Sequence, residues 1–184
     1  MKRILFFAAL LLSASFVRAQ EVFTCKNAQL SFFSSAPIED IEAVTAQGVS
    51  AMNIKTGDIF VKVGIQSFQF KKSLMQEHFN EDYLESDKYP FAEFKGKVVT
   101  DPDFSKDGAY PVTVAGTLTI HNVPKTYSVP GTLTVKNGQI TATADFKVRL
   151  ADHNIKIPRL LLKNIAEVVD VKVSAVYSKE NDVK

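Results

Sequence analysis

The chain of 184 residues has one cysteine, no tryptophan and only three histidines. The single thiol, Cys25, excludes an internal disulfide. It follows "EVFT", which lacks the small-residue run that precedes a lipid-modified cysteine, so it reads as a small residue buried in a strand. There is no Gly-x-Ser-x-Gly, no His-Glu-x-x-His, no phosphate loop and no paired-cysteine motif. No nucleophile stands beside a base, which argues against an enzyme and against a resident metal or cofactor. Long apolar runs are also scarce. The one unbroken run, Ile4 to Leu12, follows Lys2 and Arg3 and precedes the small-residue pair Val17 and Ala19. That pattern is a secretory signal peptide over residues 1–19, too short and wrongly flanked to span a membrane. An excess of charge of one sign is missing as well. Residues 1–19 carry Lys2, Arg3 and Arg18 and no acidic residue, so the remaining 165 residues hold 19 basic against 20 acidic side chains. The pI of about 8.5 comes from the leader, and nucleic-acid binding loses its main support.

What is abundant is alternation. Tyr110, Val112, Val114, Gly116, Leu118 and Ile120 share one face, against Thr113, Ala115, Thr117, Thr119 and His121. Tyr127, Val129, Gly131, Leu133 and Val135 repeat the pattern. Asn137-Gly138 then supplies a hairpin turn. Ile140, Ala142, Ala144, Phe146, Val148 and Leu150 face one way on the returning strand, and Val169, Val171, Val173, Ala175 and Tyr177 on the last. Earlier strands are expected at 22–34, 41–46, 49–54, 58–66 and 91–99. In the fourth of these, Phe68 and Phe70 fall on the opposite parity to Ile59, Val61, Val63 and Ile65, which requires a bulge or a strand end near Ser67.

One internal segment reads as a helix. "SLMQEHFNEDYL" places Ser73 and Gln76 in capping-box spacing and aligns Met75, Phe79 and Tyr83 in one stripe. It ends near Leu84, because Pro90 forces Tyr89 to be extended. His78 and Asp82 are neighbours one turn apart, with Glu77, Glu81, Glu85, Asp87 and Glu93 close in sequence. That spacing can hold a metal but lacks a second histidine, so a solvated carboxylate face is the stronger reading. His121 reads as a turn histidine bonded to backbone. "DPDFSKDG" has its glycine at the eighth position and Val112 at the twelfth, so it is a loop, not a calcium site.

Eight or nine antiparallel strands with one short helix make an all-β barrel or sandwich. An eight-stranded barrel has an interior either filled by side chains or wide enough for one small ligand. With the apolar faces inward, the interior is lined by Val61, Val63, Phe94, Val114, Leu118, Leu133, Phe146, Val148 and Val171. Met75, Phe79 and Tyr83 close one end. "IKIPRLLLKNIAE" is either a short buried helix against the barrel or an apolar flap at its mouth. In the second case Leu161 belongs to the lid, and Arg159, Lys163 and Lys156 face an anionic headgroup.

The blocks "LMQEHFNEDYLESDKYPFAEFKGKV" and "YPVTVAGTLTIHNVPKTYSVPGTLTV" resemble the YceI-like family of polyisoprenoid-binding proteins. The signature residues are Lys88, Tyr89, Pro90 and Phe94, then Gly116, Leu118, Thr119, Ile120, His121, Asn122, Val123 and Lys125. The N-terminal strand departs from the family: "CKNAQLSF" stands where an Asp-x-x-His-Ser opening is usual. The resemblance implies one domain over 20–184, an eight-stranded lipocalin-like barrel that holds an isoprenoid or another long-chain lipid, with no cofactor. It further implies a periplasmic or secreted protein without a permanent membrane anchor, and a homodimer is compatible with it. An enzyme acting on a lipid inside the barrel, and a solid structural module, are the alternatives.

Overall fold

The computed structural model describes residues 22–35, 39–157 and 166–179. The leader expected at 1–19 and the leucine run with Arg159, Leu161 and Lys163 lie outside the described residues. The strands are β1 (Val22–Ser34), β2 (Ile41–Asn53), β3 (Asp58–Gly64), β4 (Gln69–Phe70), β5 (Phe91–Val98), β6 (Gly108–Ile120), β7 (Val123–Lys136), β8 (Gln139–Arg149) and β9 (Val168–Lys179). Eight run in the order β1-β9-β8-β7-β6-β5-β3-β2, and β1 pairs with β2. The sheet is therefore a closed antiparallel barrel, not a sandwich. Closure leaves no long free edge for another chain to extend. The two-residue β4 pairs with Ala43 and Val44 of β2 at one end of the barrel.

The alternation decides which face is inside. On β6 to β9 the apolar parity is interior: Val112, Leu118, Val129, Leu133, Val135, Ile140, Val148, Val169, Ala175 and Tyr177 are all buried. The polar parity faces out, where Asp145 and Lys147 stand opposite Lys172 and Asp170 across the β8–β9 ladder and pair with them. Asn137 and Gly138 both have positive φ, as the expected hairpin demands. The β6–β7 connection uses the same turn geometry with His121 and Asn122, at φ 53° and 58°.

On β1 and β2 the simple alternation breaks. The register shifts between Cys25 and Ala28 and again between Ala28 and Leu30, where Ala28 pairs with Gly48. Inward positions are thus Phe23, Cys25, Ala28 and Leu30 on one strand, and Ala43, Thr45, Ser50 and Met52 on the other. The irregularity bends the pair round the barrel. Gly48 is required there, since a Cβ would lie 2.4 Å from Leu30 Cδ1 and 2.9 Å from the Ala28 carbonyl oxygen.

The helical segment departs from expectation in two ways. The α-helix α1 covers only Ser73–His78, and Phe79–Tyr83 continues as a π-helical turn, with Leu84 N–H donating to the Phe79 carbonyl at 3.0 Å. The capping box does not form: Lys72, not Ser73, is the N-cap, and no side chain caps it. Gln76 Oε1 instead accepts the Phe70 N–H at 3.3 Å, tying α1 to β4. Strand β3 ends at Gly64 in a 3₁₀ turn over Ile65–Ser67, which accounts for the parity change at Phe68 and Phe70.

The β7–β8 ladder covers only Gly131 to Lys136 against Ala144 to Gln139. The next residue, Pro130, has no N–H to donate. Beyond it the two strands are linked by a side-chain bridge. His153 is fully buried in the 3₁₀ turn after β8. Its Nδ1–H donates to the Val123 carbonyl at 2.9 Å, so its Nε2 accepts the Tyr127 hydroxyl at 3.1 Å. The two rings stack at 5.9 Å. Burial is the main cause that holds the His153 pKa below its ordinary 6.5. The folded ring is neutral, so the unfolded chain binds more protons as pH falls through 6.5. Stability from this residue therefore declines below that pH until the folded ring itself protonates. The melting temperature is expected to fall from about pH 7 to about pH 5.5, and His153→Gln is expected to flatten that slope. A wild-type melting temperature that is level over this range would contradict the assignment.

Candidate functional site

The two halves of the barrel differ. The end holding the Asn137-Gly138 turn is solid: Phe23, Met52, Val98, Val112, Leu133, Val135, Ile140 and Tyr177 form one buried cluster. Toward the α1 end the interior opens into a cavity of about 520 Å³. That volume lies within the roughly 300–1,000 Å³ of small-molecule sites. Its walls are apolar residues from all nine strands, with α1 and the π turn above.

Of the interior residues expected from parity, Val61, Val63, Phe94, Val114, Leu118, Phe146, Val148 and Val171 line this cavity. Leu133 does not. It points inward as expected, but it is packed in the solid half at 2% exposure. Alternation along one strand gives the face, not the depth at which the opposite wall closes in. Met75, Phe79 and Tyr83 all border the cavity. Several wall residues escaped the sequence reading. Leu30 and Phe32 lie beyond the β1 irregularity, and Phe68 and Phe70 follow the parity change. Ile155 and Ile157 sit in a segment with no period.

Phe94 has a second task. Gly96 and Gly116 face each other across β5 and β6. A Cβ on Gly116 would lie 2.5 Å from Gly96 Cα, 2.5 Å from the Lys95 carbonyl oxygen and 2.6 Å from Phe94 Cζ. The strands meet backbone to backbone, and the Phe94 ring covers the pair as part of the wall. At the α1 end, Phe32, Phe68, Phe70 and Phe79 form an aromatic cluster with ring centroids 5.0–6.0 Å apart. Such contacts add about 0.5–1.5 kcal/mol per pair beyond burial. They fasten a helix that buries no residue fully by itself.

The signature residues fasten the same end from the other side. His121 Nε2 lies 2.8 Å from Glu85 Oε2, and the Tyr89 ring meets the His121 ring edge-on at 4.3 Å. His121 is thus held by a carboxylate and an aromatic ring, not by backbone as expected. The hydrogen bond from His121 is the main cause holding the Glu85 carboxyl below its ordinary range, with Lys88 assisting. Gln66 Nε2 donates to Asp87 Oδ1 at 2.8 Å, and the Ile65 N–H donates to the Pro90 carbonyl at 2.9 Å. Glu85 and Asp87 of the acidic stretch therefore fasten the turn after the helical cap to the barrel rim.

Polar groups on the cavity wall are few, and the buried Tyr177 and Ser34 hydroxyls are already engaged. Tyr177 is 1% exposed, and its hydroxyl lies 2.6 Å from Ser50 Oγ, which donates to the Phe60 carbonyl at 2.7 Å. Burial pushes the Tyr177 phenol up to about 12. Ser34 Oγ accepts the Ala166 N–H at 2.9 Å. At the rim Lys72 pairs with Glu39, and His78 Nδ1 lies 2.6 Å from Asp82 Oδ2. Among the described residues, no group of three or more His, Cys, Asp or Glu could hold a metal ion. Both members of the His78–Asp82 pair are well exposed. Glu81→Gln together with Asp82→Asn is expected to change uptake of a fluorescent fatty acid by less than about twofold, since exposed pairs contribute little. Loss of uptake would return a role to these carboxylates.

A closed antiparallel barrel with a lipid-sized apolar cavity under a helical cap belongs to the broad class of lipocalin-like barrels. Residues 17–177 match the YceI-like domain, and the chain belongs to the YceI-like family. No curated protein sequence matches it. Among solved structures, it is similar to a polyisoprenoid-binding domain of Saccharophagus degradans implicated in plant cell wall breakdown. The TM-score is 0.73 at 15% identity, over 87% of this chain and 99% of that one. Burkholderia cenocepacia BcnA follows at TM-score 0.68 and 14% identity, over 83% and 96%. The Campylobacter jejuni YceI protein gives 0.56 at 17% identity, over 72% and 81%.

Proposed function

We propose that this protein is an exported carrier that holds the hydrocarbon of a polyisoprenoid or a similar long-chain amphiphile inside the barrel and performs no chemistry on it. The observation that carries this reading is the cavity of about 520 Å³, walled by Val, Leu, Ile and Phe from all eight strands of the barrel. Burial of each CH₂ stabilises a bound chain by roughly 0.8 kcal/mol. About a dozen methylenes therefore outweigh the costs of association without elaborate polar recognition. The charged groups that reach the wall are paired with protein partners, so the tail meets no unpaired charge. The headgroup stays at the rim near Lys72, Glu39 and His78. The family membership and the polyisoprenoid-binding neighbour support this ligand class, and the leader-like residues 1–19 support export to the periplasm or medium. The reading involves no nucleic acid, cofactor or permanent anchor, and it is compatible with a homodimer.

The test is mass spectrometry of lipid co-purifying with the exported protein, combined with uptake of a fluorescent fatty acid after delipidation. One long-chain lipid per chain is the expected result. A delipidated protein that takes up no long-chain probe would exclude the carrier.

A further inference from the structure

The cavity does not run the length of the barrel, and this sets a limit on its occupant. We infer that the site is a length-selective pocket for a single chain of about twelve to sixteen main-chain carbons, closed at its base by Tyr177 and Ala144. This inference rests on the carrier reading.

The depth follows from the strands. On β6 the wall extends from Val114 to Ile120, and on β9 from Val169 to Tyr177. At roughly 3.3 Å per residue, with barrel strands tilted by about 40°, these spans project to about 15–20 Å along the axis. An extended hydrocarbon with bonds of about 1.52 Å and angles near 111° advances about 1.25 Å per carbon. The pocket thus accommodates about twelve to sixteen carbons, or roughly three to four isoprene units at about four main-chain carbons each.

The base is rigid. The Tyr177 ring reaches from β9 past β1 to β2, where its hydroxyl lies 2.6 Å from Ser50 Oγ. Behind it, Met52, Ile140 and Leu133 are at most 2% exposed and form part of the solid cluster. The entrance is at the other end, where the cavity-lining residues Lys72 and Leu74 are exposed. A tail enters beside α1 and stops at Tyr177. A longer tail leaves its remaining carbons outside.

The experiment is a chain-length series. Saturated alcohols from about eight to about twenty-four carbons, and prenyl alcohols of roughly two to eight units, compete with a fluorescent fatty acid on the delipidated full chain. Affinity is expected to rise by up to roughly fourfold per methylene and then level off near twelve to sixteen carbons. Ala144→Leu adds bulk at the base and is expected to move that break shorter by about two carbons. An unbroken rise beyond about twenty carbons, or a break that Ala144→Leu leaves in place, would overturn the length limit while leaving the carrier intact. If Ala144→Leu does not fold, the wild-type series alone decides. A protein that binds neither the reporter nor any alcohol would instead remove the carrier reading itself.

Discussion

Gly116→Ala is expected to lower stability by about 3 kcal/mol, a loss of roughly 10 °C in melting temperature for a domain of this size. The added methyl meets Gly96 Cα and the Lys95 carbonyl oxygen at 2.5 Å, and Phe94 Cζ at 2.6 Å. The ring has room to move, because the cavity lies beside it. The backbone of β5 does not, because Gly96 is held between β3 and β6 in continuous ladders. Relief of the clash requires the two strands to separate where they meet backbone to backbone, and overpacking against backbone falls at the costly end of such changes. Gly64→Ala is the control. Gly64 has extended backbone at φ −74°, and a Cβ there meets no atom within 4 Å. Its melting temperature is expected to stay within about 2 °C of wild type. Equal behaviour of the two variants in thermal denaturation would refute the claim that the glycine pair sets the wall.

The same pair of strands shows how much of the fold was legible in the sequence. From β6 to β9 each strand is regular, so a period of two assigned the inward face of every residue, and those faces are inward in the structure. The Asn137-Gly138 turn was equally local in its chemistry. Where a strand changes register, the period loses its phase. That is why the pattern does not assign Leu30 and Phe32 of β1 to the wall, although the β1 boundaries agree with expectation. The helical cap was found from its stripe of Met75, Phe79 and Tyr83. Its π turn and the Gln76 contact to Phe70 depend on how α1 meets β4, which no window of sequence contains. The turn at His121 is local in sequence, but its partner, Glu85, lies 36 residues away. The contrast between Leu118 and Leu133 has the same origin. Both occupy inward positions, yet only the packing of several strands at one level determines which meets a cavity and which meets side chains.

That contrast yields the remaining large effect, in which Leu118→Gln and Leu133→Gln are expected to fail in different ways. Leu118 lines the cavity, 8% exposed, in a cluster with Val148 and Val169. Leu133 is 2% exposed in the solid half, among Val135, Ile140 and Tyr177. A glutamine at 133 buries its amide without a partner and removes apolar contacts on every side, at a cost of about 4–5 kcal/mol. A glutamine at 118 borders the cavity, where water can reach the amide in the delipidated protein, so the loss there is nearer about 2 kcal/mol. Binding reverses the order. A hydrocarbon chain drawn past position 118 strips that water and leaves the amide unpaired, which costs about 1–3 kcal/mol, roughly 5- to 150-fold in affinity. At position 133 no ligand atom arrives, so the folded fraction of Leu133→Gln is expected to bind as the wild type does. The measurement pairs denaturant unfolding of each delipidated variant with uptake of a fluorescent fatty acid, corrected for the fraction folded. If Leu118→Gln costs as much stability as Leu133→Gln and still takes up the probe normally, the tail does not pass through this cavity.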